Sequence, residues 1–173
     1  MTLLSDHVWQ PKYSPDDGNL VELFYIPALA GALRYDRSTG FFSVYALALA
    51  MPLVAPDTAA RDALELLAWM VARSYLDVKV AVPCDTNRQP LPGVGLFHEK
   101  AGILEDRAGN RLAFNGSVNE TAYGWTYNWE SFHVYTTWGD GAAHVRAEEA
   151  TFQRLWANQA RRALVLEIGR AHV

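Results

Sequence analysis

The polar residues that carry the most chemical information lie between positions 98 and 130. His98 and Lys100 stand two residues apart in residues 96–104, a segment that is typical of a strand. Because side chains alternate across a strand, the imidazole and the ammonium should emerge on the same face. Two such groups can bind a single anion, so the pair predicts an anion-binding site.

A second polar group follows the next predicted strand, residues 111–115, and precedes a short predicted helix, residues 120–127. Gly116 allows the backbone to approach a ligand closely, and the N–H groups at the start of a helix favour a phosphate. Ser117 and Asn119 add neutral hydrogen-bond donors. This segment therefore supplies a second set of groups suited to a phosphate.

A third pair, Asn128 and Glu130, is again two residues apart, near a strand predicted over residues 129–137. We expect the two side chains to share a face, where the carboxylate can orient His98 through its second ring nitrogen. The first pair alone would fit a solvated strand face, and Asn119 alone could cap a helix. The three segments together favour a phosphate site.

Other residues allow both a functional and a structural role. Arg34 and Arg37 either contact a nucleic-acid backbone or form an exposed ion pair with Asp36. His133 and His144 have no shared spacing that would indicate a metal site. Four tryptophans are either base-stacking platforms or core residues, and their spacing favours the core for most of them: Trp125, Trp129, Trp138 and Trp156.

The hydrophobic pattern around these residues predicts a mixed α/β fold, with a mixed β-sheet flanked by helices. Residues 96–104 and 111–115 form a predicted hairpin around the polar turn 105–110. Residues 12–19 carry turn residues, and residues 33–44 are predicted as a loop that enters a buried element. Further strands are predicted over 76–82 and from 164, and further helices over 20–33, 44–55, 57–73 and 143–160, the first divided at Pro27.

Composition limits the function classes. The chain has 173 residues and a formal net charge of −4, which argues against a protein that binds through bulk positive charge. Cys84 is the only cysteine, so an intrachain disulfide and a cysteine-built zinc site are excluded. We expect a cytoplasmic protein of one domain, because no export signal is visible and no apolar run reaches about 18 residues.

Three motifs resemble the signature of the phospholipase D superfamily: His98-Glu-Lys100, Gly116-Ser-Val-Asn119-Glu-Thr121 and Asn128-Trp-Glu130. This resemblance implies hydrolysis of a phosphodiester through a covalent phosphohistidine, with no metal and no other cofactor. It implies a role for each matching residue: His98 as nucleophile, Lys100 and Asn119 as phosphate ligands, Ser117 as their support, Glu130 as the orienting carboxylate, and Gly116 and Asn128 as part of the substrate-binding set.

A narrower resemblance covers most of the chain and adds residues 35–42, 76–80, 97–100 and 128–132 to these motifs. Together they look like the phospholipase D-like domain at the N-terminus of bacterial superfamily-two helicases. This resemblance implies a DNA partner, a helicase domain in the same polypeptide and no membrane partner. It also implies a homodimer, because the chain has one such motif where these enzymes combine two.

The resemblance also fixes expected boundaries. Residues 1–167 would be a single phospholipase D-like domain, the N-terminal fragment of a longer protein, and residues 168–173 match the translation of a common sequencing adapter. Two departures stand out. Glu105 and Asp106 compete for the place of the motif aspartate, and residues 50–57 lack a glycine-rich turn and a core strand, so we expect a shortened fold.

The expected function is therefore a metal-independent phosphodiesterase that acts on DNA as a nuclease module. The first alternative is a non-catalytic module that binds DNA phosphate for a helicase. The second alternative is a lipid phosphodiesterase, which ranks last because the chain has no exposed amphipathic membrane helix and no basic surface run.

Overall fold

A computed structural model describes residues 2–42, 69–91, 93 and 95–167. Its described part is a mixed α/β structure with one five-stranded antiparallel sheet and one two-stranded sheet. The strands are β1 (Lys12–Tyr13), β2 (Arg34–Ser38), β3 (Lys79–Pro83), β4 (Ala101–Glu105), β5 (Arg111–Gly116), β6 (Phe132–Thr136) and β7 (Ala163–Glu167). The helices are a π-helical turn (Val21–Tyr25), α1 (Ile26–Gly31), α2 (Ala122–Thr126) and α3 (Ala142–Trp156), with short 3-10 turns at Leu4–Asp6 and Pro15–Asp17. The prediction of a mixed α/β fold is confirmed at this level.

The five-stranded sheet has the order β1-β6-β5-β4-β2, and every neighbouring pair of described strands is antiparallel, which corrects the prediction of a mixed sheet. The separate sheet joins β3 to β7. The predicted hairpin is confirmed, since β4 and β5 pair from Ala101–Asn115 to Glu105–Arg111. Its turn uses Gly109 at φ 79°, a conformation that favours glycine.

The strand predicted over residues 96–104 is shorter than expected, because β4 begins only at Ala101. The N–H of Gly116 still bonds to the carbonyl of Lys100 at 3.2 Å. Strand β5 ends at Gly116, so the residues before Lys100 have no residues of β5 with which to pair. His98 and Lys100 therefore do not share a strand face: His98 is exposed and Lys100 is buried.

An aromatic core fills one face of the large sheet. Phe24, in the π-helical turn, is fully buried, and its ring centroid lies 5.0 Å from that of Phe114 and 4.7 Å from that of Phe132. Tyr13 and Trp125 pack against the same ring. On the opposite face α3 covers the sheet. Because strand side chains alternate, β5 contributes Phe114 to one layer and Ala113 to the other.

Strand β2 corrects the prediction of a loop over residues 33–44. Its residues are mostly polar and pair with β4 from Arg34–Glu105 to Ser38–Ala101. Arg34 and Asp36 bond to each other on the outer side, whereas the inward Arg37 reaches a buried carboxylate on Glu120. A strand with this composition is stable because the buried charge has a partner.

The helix predicted over residues 20–33 is present, with a π-helical first part and α1 behind it. Pro27 lies in the first turn of α1, just after the change from π-helical to α-helical backbone at Ile26. Residues 12–19 contribute β1 as well as the expected turn. The short helix, the long helix and the last strand are confirmed as α2, α3 and β7.

Several predictions fall on residues outside the described ranges. These are the helix over 44–55, most of the helix over 57–73, the shortened region at 50–57 and the adapter-like residues 168–173. Residues 69–72 are helical, as predicted for that helix's end. Among the described residues no helix has the length and apolar character needed to cross a membrane.

Candidate functional site

Lys100 immediately precedes β4 and is only 6% exposed. Its Nζ donates to the carbonyl oxygen of His98 at 2.9 Å, which is its one hydrogen bond among the described residues. An ammonium has three N–H donors, so two of them make no hydrogen bond within the described part of the chain. Burial and the nearby Arg37 guanidinium lower the pKa of Lys100, and the Glu130 carboxylate opposes that shift.

Gly40 is the place where Lys100 and Asn119 meet. A Cβ at this glycine would lie 3.4 Å from Lys100 Nζ, 3.4 Å from Asn119 Oδ1 and 3.3 Å from the carbonyl oxygen of Phe97. Both polar side chains therefore end beside the same backbone position. A larger residue at position 40 would have to displace one of them.

Asn119 is held by the segment that follows β2. Its Oδ1 accepts from the backbone N–H of Phe41 at 3.2 Å, and the hydroxyl of Thr39 lies 3.4 Å away. The same Thr39 hydroxyl accepts from the N–H of Glu120 at 3.0 Å. Because the carbonyl end of the amide is engaged, the Nδ2 donors of Asn119 are the end left for an anion.

Gly116 and Ser117 join β5 to the residue that precedes β6. A Cβ at Gly116 would lie 2.2 Å from the carbonyl oxygen of Ser131, a distance that no side chain tolerates. The hydroxyl of Ser117 accepts from the N–H of Ser131 at 3.1 Å, and the N–H of Ser117 donates back at 3.0 Å. The sheet itself therefore requires this glycine, and Ser117 closes the strand pair.

Asn128 and Glu130 were predicted to share a strand face, but both precede β6 and instead contact each other. The Nδ2 of Asn128 donates to Glu130 Oε1 at 3.1 Å. Glu130 is 8% exposed and lies close enough to affect Lys100. Among the described residues no hydrogen bond joins Glu130 to His98, so the carboxylate faces the lysine and the asparagine.

The sequence interpretation missed a buried network around Glu120. Its carboxylate accepts hydrogen bonds from Tyr25, from Tyr35 at 2.9 Å and from Arg37 Nε at 2.9 Å. Burial and the Glu120 charge raise the pKa of Tyr25 and Tyr35 well above 10, so both phenols remain donors. Tyr35, Arg37 and Glu120 all lie in the segments that carry the family resemblance.

Arg37 connects this network to the site. Its Nη2 donates to the carbonyl of Val118, its guanidinium lies 4.9 Å over the Phe114 ring, and its Nη1 is buried without a hydrogen-bond partner among the described residues. Of the two alternatives for these arginines, the exposed ion pair with Asp36 is found for Arg34 and not for Arg37. Asp36 pairs with Arg34 at 3.0 Å, while Arg37 pairs with Glu120.

Neither candidate for the motif aspartate lies near Lys100. Glu105 and Asp106 stand at the opposite end of β4, roughly 15–20 Å away at strand spacing. Asp106 shapes the hairpin turn, since its carboxylate accepts from the N–H groups of Ala108 and Asn110 and from the N–H of Leu4 at 2.9 Å. Burial opposes ionisation of Asp106, but these bonds and that of the Asn110 side chain lower its pKa.

The tryptophans divide between core and surface. The prediction that most of the four tryptophans lie in the core is wrong: Trp125 is buried at 2% exposed, Trp156 is half-buried, and Trp129 and Trp138 are 64% and 39% exposed. Trp129 lies between Asn128 and Glu130 and so belongs to the same loop as two candidate site residues. Among the described residues, no three His, Cys, Asp or Glu side chains gather as metal ligands.

Comparison of the chain with protein-family models finds no matching family. Comparison with curated proteins finds no match either. What the chain does must therefore be argued from the residues and contacts of the site itself.

Proposed function

We propose that this chain is a phosphodiesterase-type nuclease module that acts on DNA through His98, on a phospholipase D-like fold. One observation carries the proposal: the buried Lys100 ammonium ends beside the Asn119 amide at Gly40, next to an exposed histidine. A buried ammonium with unused donors favours an anionic partner. His98, two residues earlier in the chain, is exposed and carries an imidazole that would serve as the nucleophile.

The proposed reaction has two displacements at phosphorus. A neutral His98 nitrogen attacks the phosphodiester, the bond to one ester oxygen breaks, and a phosphohistidine forms. The leaving oxygen takes a proton from a second histidine, which in this proposal is His98 of another copy of the chain. That histidine then accepts a proton from water as the water attacks phosphorus, the phosphorus–nitrogen bond breaks and free His98 returns.

Lys100 and Asn119 have the same role in both steps. Each displacement increases negative charge on the two oxygens of phosphate that do not leave. The Lys100 ammonium and the amide of Asn119, whose Oδ1 is the atom nearest Gly40, end beside the same backbone position, and the ammonium and the free Nδ2 donors would bind these oxygens. The negative charge of Glu130 raises the pKa of Lys100, and the positive charge of Arg37 lowers it. In the full protein we propose that a helicase domain delivers the DNA.

A second candidate is a non-catalytic module that binds DNA phosphate. The position of Glu130 favours it, because this carboxylate bonds to Asn128 and, among the described residues, does not bond to His98. A histidine without an orienting partner is a weaker nucleophile. Lys100 and Asn119 would still bind a phosphate group.

The deciding experiment is cleavage of single-stranded and double-stranded DNA in excess EDTA by the chain and by His98→Ala. His133→Ala is the matched control, because His133 is also an exposed histidine but lies in β6. Cleavage that His98→Ala loses and His133→Ala retains supports the nuclease. DNA binding without cleavage in any of the three proteins supports the binding module, and equal cleavage by all three contradicts both.

A further inference from the structure

A groove beside the candidate site has the lining that an unpaired nucleobase requires. It has a volume of about 300 Å³ and lies between the turn at Pro15–Asp17 and the loop that leads from α2 to β6. The residues that matter for binding are Asn19, Trp125, Thr126, Tyr127, Asn128 and Trp129. This set combines aromatic rings with amide and hydroxyl groups.

The aromatic residues of this groove are unusually exposed. Tyr127 is 77% exposed and Trp129 is 64% exposed, and neither contributes to the aromatic core. The neighbouring Tyr123 is 69% exposed, and its ring centroid lies 5.4 Å from that of Tyr127. Exposed rings of this kind lose contact with water when a planar base stacks on them.

Trp125 supplies an independent indication. The residue lines the groove and is 2% exposed, yet its Nε1–H has no acceptor among the described residues. A buried indole N–H without a partner costs free energy, and an acceptor on a ligand recovers that cost only if the Trp125 side chain turns Nε1, which is itself inaccessible to solvent, toward the groove. The edge of every nucleobase carries such acceptors.

The groove is continuous with the candidate phosphate site through Asn128. This residue lines the groove, and its Nδ2 donates to Glu130, which faces Lys100. We propose that the groove binds an unpaired base of a single-stranded nucleic acid whose backbone phosphate lies at Lys100 and Asn119. The inference rests on the proposed function, since it assigns the substrate class of that same phosphate site.

The test measures the binding of two oligomers of equal length and charge to the full chain. One is a thymidine 15-mer and the other is an abasic deoxyribose-phosphate 15-mer. The chain should prefer the thymidine oligomer by about 5- to 100-fold, as expected for stacking of one base. Trp129→Ala should remove most of that preference, whereas Tyr75→Ala, which changes an exposed tyrosine outside the groove, should keep it.

The outcomes separate this inference from the proposed function. Equal binding of both oligomers, weakened for both by Lys100→Ala, overturns the base groove and leaves the phosphate site intact. No binding of either oligomer overturns both. A Trp129→Ala protein that changes its oligomeric state and keeps its base preference also overturns the inference, because the groove would then be a contact between two copies of the chain.

Discussion

Lys100 is the residue whose placement most needs a functional explanation. It is 6% exposed, it has one hydrogen bond among the described residues, and a guanidinium of the same charge lies nearby. Burial of a charge costs free energy that a paired opposite charge offsets. Glu130 offsets part of this cost, and a bound phosphate would offset more.

We expect Lys100→Ala to weaken DNA binding by roughly tenfold or more at low salt, because one charge-assisted phosphate contact is lost. The slope of log affinity against log salt concentration should decrease in magnitude by about 1, because one phosphate contact is lost. Lys12→Ala is the control, because Lys12 is an exposed lysine in β1. Fluorescence anisotropy across a series of KCl concentrations measures both values. Equal effects of the two substitutions would show that Lys100 has no special role.

The contacts of Asp106 give it a structural role, which is to stabilise the fold. Its carboxylate accepts from three backbone N–H groups, two in the hairpin turn and one from Leu4, 102 residues away in the chain. Because these bonds lower its pKa, Asp106 stabilises the fold above its unfolded pKa of about 3.9. That contribution is lost as the pH falls through the lowered pKa of the folded protein.

We expect Asp106→Asn to lower the free energy of unfolding by about 1–3 kcal/mol at neutral pH, with a smaller difference from wild type in acid. Urea unfolding at pH 7 and near pH 3 measures this change. Asp85→Asn is the matched control, because Asp85 also accepts two N–H groups of a turn but is less buried than Asp106. An Asp106→Asn protein as stable as wild type at pH 7 would contradict this explanation.

At the scale of elements, the close approach of β6 to the end of β5 determines the shape of the site. Gly116 has no room for a Cβ, because the Ser131 carbonyl and Phe132 occupy that space. The same junction directs the chain toward Val118, Asn119 and Glu120. The signature glycine is thus needed to bring the second and third polar segments together.

Gly116→Ala should destabilise the chain by about 1–3 kcal/mol, since the strands must separate to admit the methyl group. The control is Gly95→Ala, where the nearest atom to a new Cβ is 3.6 Å away, an ordinary contact distance. Chemical denaturation compares the two proteins. The expectation fails if both substitutions have the same small effect.

Local patterns predicted the elements whose side chains alternate clearly or repeat with helical spacing. These include the β4–β5 hairpin, β6, β7 and α3. Strand β2 escaped prediction because its inward residue is Arg37, which is stable there only through Glu120, 83 residues later in the chain. The first residue of β4 was predicted wrongly for a related reason. Where a strand begins depends on where its partner ends, and that partner is a separate segment.

The same limit applies to the site. Spacing placed Asn128 and Glu130 on one strand face but did not predict their contact, and the types of Lys100 and Asn119 indicated an anion. Spacing could not show that Thr39, Gly40 and Phe41 bring these two side chains together, because that segment lies about 80 positions from Asn119. Nor could it distinguish the exposed Trp129 from a core residue.

At the scale of the whole molecule, the proposed reaction needs two copies of the chain. Each reaction requires one histidine that attacks phosphorus and another that protonates the leaving oxygen, and the chain supplies one His98. An excess of inactive His98→Ala protein should therefore suppress the activity of wild-type chains by capturing them in mixed dimers.

Titration of wild-type protein with His98→Ala, with DNA cleavage in EDTA as the readout, measures this suppression. Activity should fall toward zero as mixed dimers replace wild-type dimers, and an equal amount of His133→Ala should not reduce it. Activity that stays proportional to the wild-type concentration would show that one chain suffices.

Residues 2–42 make contacts with residues far later in the chain, which has a consequence for synthesis on the ribosome. Leu4 bonds to Asp106, β2 pairs with β4, and Arg37 pairs with Glu120. The segment up to residue 42 therefore leaves the ribosome well before any of these partners exists. Until Glu120 has been translated, water, chaperones and proteases can reach Phe24, Tyr25 and the unpaired Arg37. For the nascent chain, this exposure ends only when the β4–β5 hairpin has formed and the segment after it has supplied Glu120.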